Sequence, residues 1–251
     1  MPSGDAQHSE TVLVRSASFG ESHRMLTLIT SRLGKTKAVA RGARRSKRRF
    51  PPSVLQPLQV LGVVLEPGRR GDVMTLVEAE IVRCFPSIPR DPRRYAAATC
   101  ITEVVRELTP WGEADPGPLS LLSEAYARIE TDGFSIALLA SLLLKSLKQA
   151  GVAPVLDRCA ACGRPAPAGA AGRFDTSRGV VCSSCAPGAP VLRGKARQAL
   201  LELAYGRPVG PECPDHELAV GVERLLELTT YQAEREIRSA ALVARYLRTA
   251  R

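Results

Sequence analysis

Apolar and β-branched residues in the first third of the chain come in five short runs. They are Thr11–Ser18 (TVLVRSAS), Arg24–Thr30 (RMLTLIT), Lys35–Arg41 (KTKAVAR), Leu58–Glu66 (LQVLGVVLE) and Asp72–Val82 (DVMTLVEAEIV). Gly and Pro punctuate the gaps, most clearly in the PGRRG turn between the last two. Five strands with no helix between them predict a small closed barrel. Periodicity alone leaves an OB-fold and an SH3-like barrel equally open.

From Asp91 onward the period changes to that of helices. Asp91 is placed to cap a helix with Pro92 at its first position, and Tyr95, Ala98, Ile101, Val105 and Leu108 recur at helical spacing. GPLSLLSEAYARIE and SIALLASLLLKSLKQAG predict two more helices, the second apolar on nearly every side and therefore central. Helices are expected again over 194–205, 215–230 and 237–249, with Asp215 capping the second of these above a stripe of Leu218, Val222, Leu225 and Leu226. The expected organisation is a disordered tail over 1–9, a barrel over 10–85 and a helical domain over 86–251. The fold class is α+β.

Charge sharpens this picture. The net charge is +10, and residues 1–80 carry 13 Lys/Arg against 7 Asp/Glu while residues 81–150 balance at 8 against 8. Nine cations fall between Arg32 and Arg49 with no acid among them. Such a stripe points to a polyanion partner rather than to a merely solvated face. No apolar stretch reaches membrane-spanning length, and Met1–Glu10 is polar with no signal-peptide pattern, so the expected location is cytoplasmic, beside the nucleoid.

The segment GKTKAVARGARRSKRRF (Gly34–Phe50) concentrates that charge. Its GKT resembles the end of a phosphate-binding loop, but the first glycine of that motif would have to stand at residue 29, which is Ile29, and a strand rather than a helix follows. No zinc-protease or serine-hydrolase motif is present, and His8, His23 and His216 are scattered. The expectation is a protein that is not an enzyme. As a strand, Lys35, Lys37, Val39 and Arg41 share one face while Thr36, Ala38 and Ala40 pack inward. Arg44, Arg45, Lys47, Arg48 and Arg49 follow on a loop, each able to meet a different phosphate. If about six cations engage duplex DNA, log affinity falls with log salt at a slope of roughly −5. Aromatic residues are few, Phe19 and Phe50 being the candidates for stacking bases, so a backbone binder indifferent to sequence is expected.

Seven cysteines include two C-x-x-C pairs, Cys159/Cys162 and Cys182/Cys185, with nineteen residues between the pairs. This spacing predicts one closed four-thiolate zinc site in a module at about 156–190, structural rather than catalytic. Arg158, Arg164, Arg173 and Arg178 lie near enough in sequence to offset its charge. Cys84, Cys100 and Cys213 are isolated and are expected to be small buried hydrophobes.

GESHRMLTLIT, GKTKAVARGARRSKRRF, LQPL, APVLDRCAACG and GVVCSSC, in this order along nearly the whole chain, resemble the bacterial RecO family of recombination-repair proteins. His23 stands where that family usually has Asp, and Pro51–Pro52 follow Phe50 where glycine is common. The resemblance implies an N-terminal OB-fold, a helical domain and an embedded zinc module. It implies a mediator that binds single- and double-stranded DNA, through a set that would include Arg24, anneals complementary strands and, with RecR, promotes RecA loading onto strands covered by single-strand-binding protein (SSB). It further implies contact with the C-terminal tail of SSB through the helical domain; such a tail needs an apolar slot and a cation, and a groove near Lys145 or Lys148 is the candidate. Two other readings compete: a zinc-containing transcription or RNA regulator, and a metal-dependent nuclease, for which no carboxylate cluster is visible.

Overall fold

The computed structural model describes residues 6–44, 46, 49–68 and 73–249. The chain folds as two compact units, one of Met1–Asp91 with Thr109–Thr131, the other of Pro92–Leu108 with Asp132–Arg251.

The first unit is built on a closed five-stranded barrel of order β1-β2-β3-β5-β4, made of Gln7–Phe19, His23–Thr30, Gly34–Ala40, Val73–Arg83 (β5) and Val60–Glu66 (β4). Antiparallel pairing joins β1 to β2 and to β4, β2 to β3, and β4 to β5; β3 and β5 run parallel and close the barrel. This is an OB-type arrangement. All five expected runs form strands. Gln7–Ser9, read from sequence as tail, instead pair with Val63–Leu65 in β1. Their polar side chains hid a backbone that the edge of β4 requires as a partner. Residues 69–72, between β4 and β5 in sequence, and residues 1–5 lie outside the described residues.

Alternation explains the barrel core. Leu26 and Leu28 on β2, Ala38 and Ala40 on β3, Leu61, Val63 and Leu65 on β4 and Leu76 on β5 face inward and are buried with Leu13 and Phe50. Register shifts at Leu13/Arg15 on β1 and at two points between β4 and β5 bend the strands toward closure. Helix α2 (Gly117–Asp132) belongs to this unit: Phe85 meets Tyr126 edge-on at 5.5 Å, and the Glu130 carboxylate accepts the Ser87 and Ile88 backbone N–H groups.

The second unit gathers α1 (Pro92–Leu108), α3 (Ile136–Gln149), α4 (Gly194–Ala204), α5 (Asp215–Ala233) and α6 (Ala240–Thr249). Helix α3 is central, packed by α1, α4 and α5, and the Ser135 hydroxyl caps it by accepting the Leu138 N–H at 3.0 Å. Tyr95 on α1 is exposed, and the buried face runs through Ala97, Ala98, Ile101, Val104 and Val105 instead. Asp215 is the first helical residue of α5 rather than its cap, a position taken by Pro214; there its charge complements the helix N-terminus. Between α3 and α4 lies a small three-stranded sheet of order β7-β6-β8, from Gly172–Asp175 (β6), Gly179–Val181 (β7) and Val191–Leu192 (β8). Among the described residues no helix is long and apolar enough to cross a membrane.

Candidate functional site

The outer face of the barrel at β2 and β3 carries the cationic residues. Register partners on neighbouring strands share a face, so the pairs Arg15↔Thr27 and Thr27↔Lys37 align Arg15, Thr27 and Lys37 in one row across three strands. Lys37 is exposed, as are Arg15, Arg41 and Arg44. Among the described residues none of these four makes an ion pair. Arg15 went unnoticed in the sequence because it is a single charge in an apolar run; only the register with β2 places it here.

Lys35 is different. It is 6% exposed, and its ammonium donates to the Thr109 carbonyl at 2.7 Å while lying 4.7 Å from the centre of the Trp111 ring. A buried ammonium needs such partners. Lys35 therefore holds the segment that follows α1 in sequence, and it does not join Lys37 at the surface.

Beyond β3 the chain turns through a root that is pinned at both ends. The Gly42 N–H donates to His23 Nδ1 at 2.9 Å, the Arg44 N–H to the Ser22 carbonyl at 3.1 Å, and the Arg44 guanidinium to the Glu21 carbonyl at 3.2 Å. His23 thus serves as acceptor for the turn. At the far end the Ser46 hydroxyl accepts the N–H groups of Arg49 and Phe50, both at 3.1 Å. Phe50 is 1% exposed in the barrel core, which removes it as a base-stacking candidate and makes it the anchor of the loop. Arg49 is exposed and its Nε donates to the Val77 carbonyl at 2.6 Å. Arg45, Lys47 and Arg48 lie outside the described residues. Arg24 is half-buried toward Leu55, whose carbonyl its guanidinium reaches at 3.4 Å, on the inward parity of β2.

A groove of about 860 Å³ runs over β1, β4 and β5, where His8, Arg32 and Arg49 meet Glu10, Glu78 and Glu80. Its mixed charge offers a polyanion no uniform field.

The second candidate site is the cysteine cluster. The chain approaching Cys159 pairs Val155 with Gly179, while Arg158 bridges to Pro165, so the first C-x-x-C lies on a tight turn beside β7. Gly163, with φ +74°, closes that turn as its N–H donates to the Cys159 carbonyl at 2.9 Å. Cys182 follows β7 directly, and the Cys185 N–H returns to the Cys182 carbonyl at 3.1 Å. All four sulfurs lie within 4.8 Å of one another, with Cys162 and Cys182 at 3.9 Å. Four sulfurs at about 2.3 Å from one ion in a tetrahedron stand roughly 3.8 Å apart, so the spacing fits. None of the four forms a disulfide.

The electrostatics also fit a cation. Backbone N–H groups, first of Cys182 (3.2 Å from the sulfur) and then of Cys162, bring the Cys159 thiol down to about 6. The neighbouring sulfurs of Cys182 and Cys162 push Cys185 up to about 12, since adjacent thiolates compete for protons. A bound metal ion resolves that competition. Nearby arginines find other partners: Arg158 pairs with Asp157, Arg178 with Asp175, and Arg173 donates to the Ala189 carbonyl at 2.7 Å. Of the isolated cysteines, Cys100 is buried, Cys213 is partly exposed and Cys84 is exposed, contrary to expectation, because it sits just past the end of β5.

Comparison with known proteins agrees with both halves. Residues 6–85 match the family described as Recombination protein O N terminal, and residues 89–213 the one described as Recombination protein O C terminal. The DNA repair protein RecO of Anaeromyxobacter dehalogenans (strain 2CP-C) is 35% identical over 199 residues, 78% of each chain. That of Geobacter metallireducens is 31% identical over 208 residues, 83% of this chain and 77% of the relative. That of Myxococcus xanthus is 36% identical over 181 residues, 70% and 71%. With both family halves matched in order on a barrel and a four-cysteine module, the chain belongs to the RecO family.

Proposed function

We propose that the protein acts in DNA repair as a mediator that catalyses no chemical step. It binds single- and double-stranded DNA, anneals complementary strands and, with RecR, promotes RecA loading onto SSB-coated single strands. The observation that carries this reading is the row Arg15, Thr27, Lys37 with Arg41 and Arg44 beyond it: cations without ion pairs among the described residues, on the strand face that OB-type barrels use for oligonucleotides. Arg45, Lys47, Arg48 and Arg49, which follow Arg44 in sequence, are proposed to add further phosphate contacts. Lys35 and Arg24 are left out of this contact set because one is buried and the other is half-buried with its guanidinium turned to the Leu55 carbonyl.

Cations that meet phosphates but not base edges bind without regard to sequence. Such a surface holds a single strand and the duplex it forms, which is what annealing requires. Names of the relatives support the repair setting. In the second unit, Cys159, Cys162, Cys182 and Cys185 hold one zinc ion that fixes the module over 156–190; four thiolates leave no open position for catalysis. Lys145 and Lys148 are exposed on α3, the helix proposed to take the acidic SSB tail.

The test is DNA binding by fluorescence anisotropy across a salt series. The reading predicts a log–log slope of about −5 for duplex DNA, shallower by about 3 to 4 when Arg15, Lys37, Arg41 and Arg44 are all changed to Ala. Affinity that is flat in salt, or unaffected by the four changes, contradicts it.

A further inference from the structure

The chain has one tryptophan. Trp111 lies in the segment after α1, yet that segment is fastened to β3. Residue 111 forms a parallel bridge with Lys35, the Gly112 N–H donates to the Lys35 carbonyl at 3.0 Å, and the Lys35 ammonium donates to the Thr109 carbonyl. The approach is close: a Cβ on Gly34 would collide with the Glu113 carbonyl, and Gly34 has φ +59°. Glycine is required there, and its lack of a side chain lets the segment lie against the strand.

This clamp sets the indole on the cationic face. The ammonium groups of Lys35 and Lys37 lie 4.7 Å and 5.0 Å from the ring centre, yet the side chain remains 51% exposed. A large ring held by backbone bonds and cations, and still half open to water, does not serve the core. It stands next to Lys37 in the row that faces outward from β2 and β3.

We propose that Trp111 is a base-stacking platform for single-stranded DNA, with Lys37 holding the adjoining phosphate. An unpaired base lies flat on the indole; in a duplex the bases are stacked on each other and are not offered. The barrel then has two modes: a backbone grip common to both forms of DNA, and one aromatic contact reserved for the single strand. This rests on the proposed DNA contact at the β2–β3 face and deepens it.

As the lone tryptophan, Trp111 reports on itself. The wild-type protein is titrated with an oligothymidylate, with an abasic oligomer of equal length and charge, and with a blunt duplex, while tryptophan emission and anisotropy of a DNA label are both followed. The oligothymidylate should quench the emission strongly, and the other two should bind with little quenching. Trp111→Ala should lose roughly 5- to 100-fold in affinity for the oligothymidylate, Trp111→Phe less, with duplex affinity unchanged in both. Retained duplex binding is the control for folding. If the oligothymidylate binds by anisotropy without quenching, or Trp111→Ala binds it as the wild type does, this inference fails while the DNA reading stands. If no DNA binds at all, both fail.

Discussion

Arg197 on α4 is 0% exposed, and its guanidinium donates to three backbone carbonyls: Leu156 at 2.8 Å, Ala170 at 2.8 Å, and Pro167. Leu156 precedes the first cysteine pair, while Pro167 and Ala170 lie in the stretch between the pairs. One side chain thus ties both borders of the first knuckle to a helix. Burial pulls its pKa down, with Asp157 opposing, but an arginine stays protonated throughout ordinary pH. Changing it to Met keeps much of the volume and removes the charge. If the side chain acted only as filler, the swap would be neutral or stabilising, as for many buried charges. The three carbonyls decide otherwise. The buried Leu156 carbonyl would be left dry at about 1–3 kcal/mol, and the carbonyls of Pro167 and Ala170, partly open to water, would each lose a charged donor at a smaller cost, so a loss of about 3–4 kcal/mol is expected. Arg197→Lys should lose nearly as much, because one ammonium cannot follow the planar fork to three separated oxygens. Urea denaturation followed by far-UV circular dichroism, with metal content measured in parallel, gives the answer. A change below about 0.5 kcal/mol for Arg197→Met would refute the reasoning.

Other outcomes follow from named contacts. Cys182→Ala, or a strong chelator, should release one zinc per chain and destabilise the second unit, seen by metal analysis and melting; protein purified without chelators that holds no metal would contradict the assignment. The Glu103 carboxylate accepts the Ser239 hydroxyl and N–H, at 2.5 and 2.7 Å. Burial raises its pKa, but Ser239 and Arg106 together outweigh that and hold it below the usual value, so this stabilisation is present above the ordinary carboxylate pKa and is lost as pH falls through the lowered one. Glu103→Gln should cost about 1–2 kcal/mol at neutral pH and flatten the acid limb of the stability profile. Gly34→Ala should drive residues 109–113 off β3 and shift tryptophan emission, with a loss of at least about 2 kcal/mol in thermal or urea unfolding.

Strand positions, the helices and the cysteine quartet were legible because each is written in local pattern: period two, period near 3.6, and paired spacing. Contacts made across long stretches were not. Lys35 and Lys37 alternate identically in sequence, and only the return of the chain at Thr109 and Trp111 buries the first and leaves the second exposed. Phe50 looked like a loop aromatic because nothing local says that a basic loop ends by plugging a barrel. Nothing local in the sequence singles out Arg197; its role needs three distant carbonyls to converge on it. Arg15 needed the register with β2, and Gln7–Ser9 needed β4 as partner. In each case the missing information was a tertiary neighbour, not a propensity.

The central claim is that a cationic barrel face, together with the basic segment Arg44–Arg49 that follows it in sequence, lets this protein bring complementary strands together. Its most direct measurement mixes two complementary fluorescent oligonucleotides, each coated with SSB, and follows duplex formation with no nucleotide present. The account predicts that the wild-type protein accelerates annealing, and that the variant with Arg44, Arg45, Lys47, Arg48 and Arg49 changed to Ala does not, while retaining its zinc. Annealing at the uncatalysed rate with wild-type protein, strand cleavage, or full activity in the five-residue variant would contradict it.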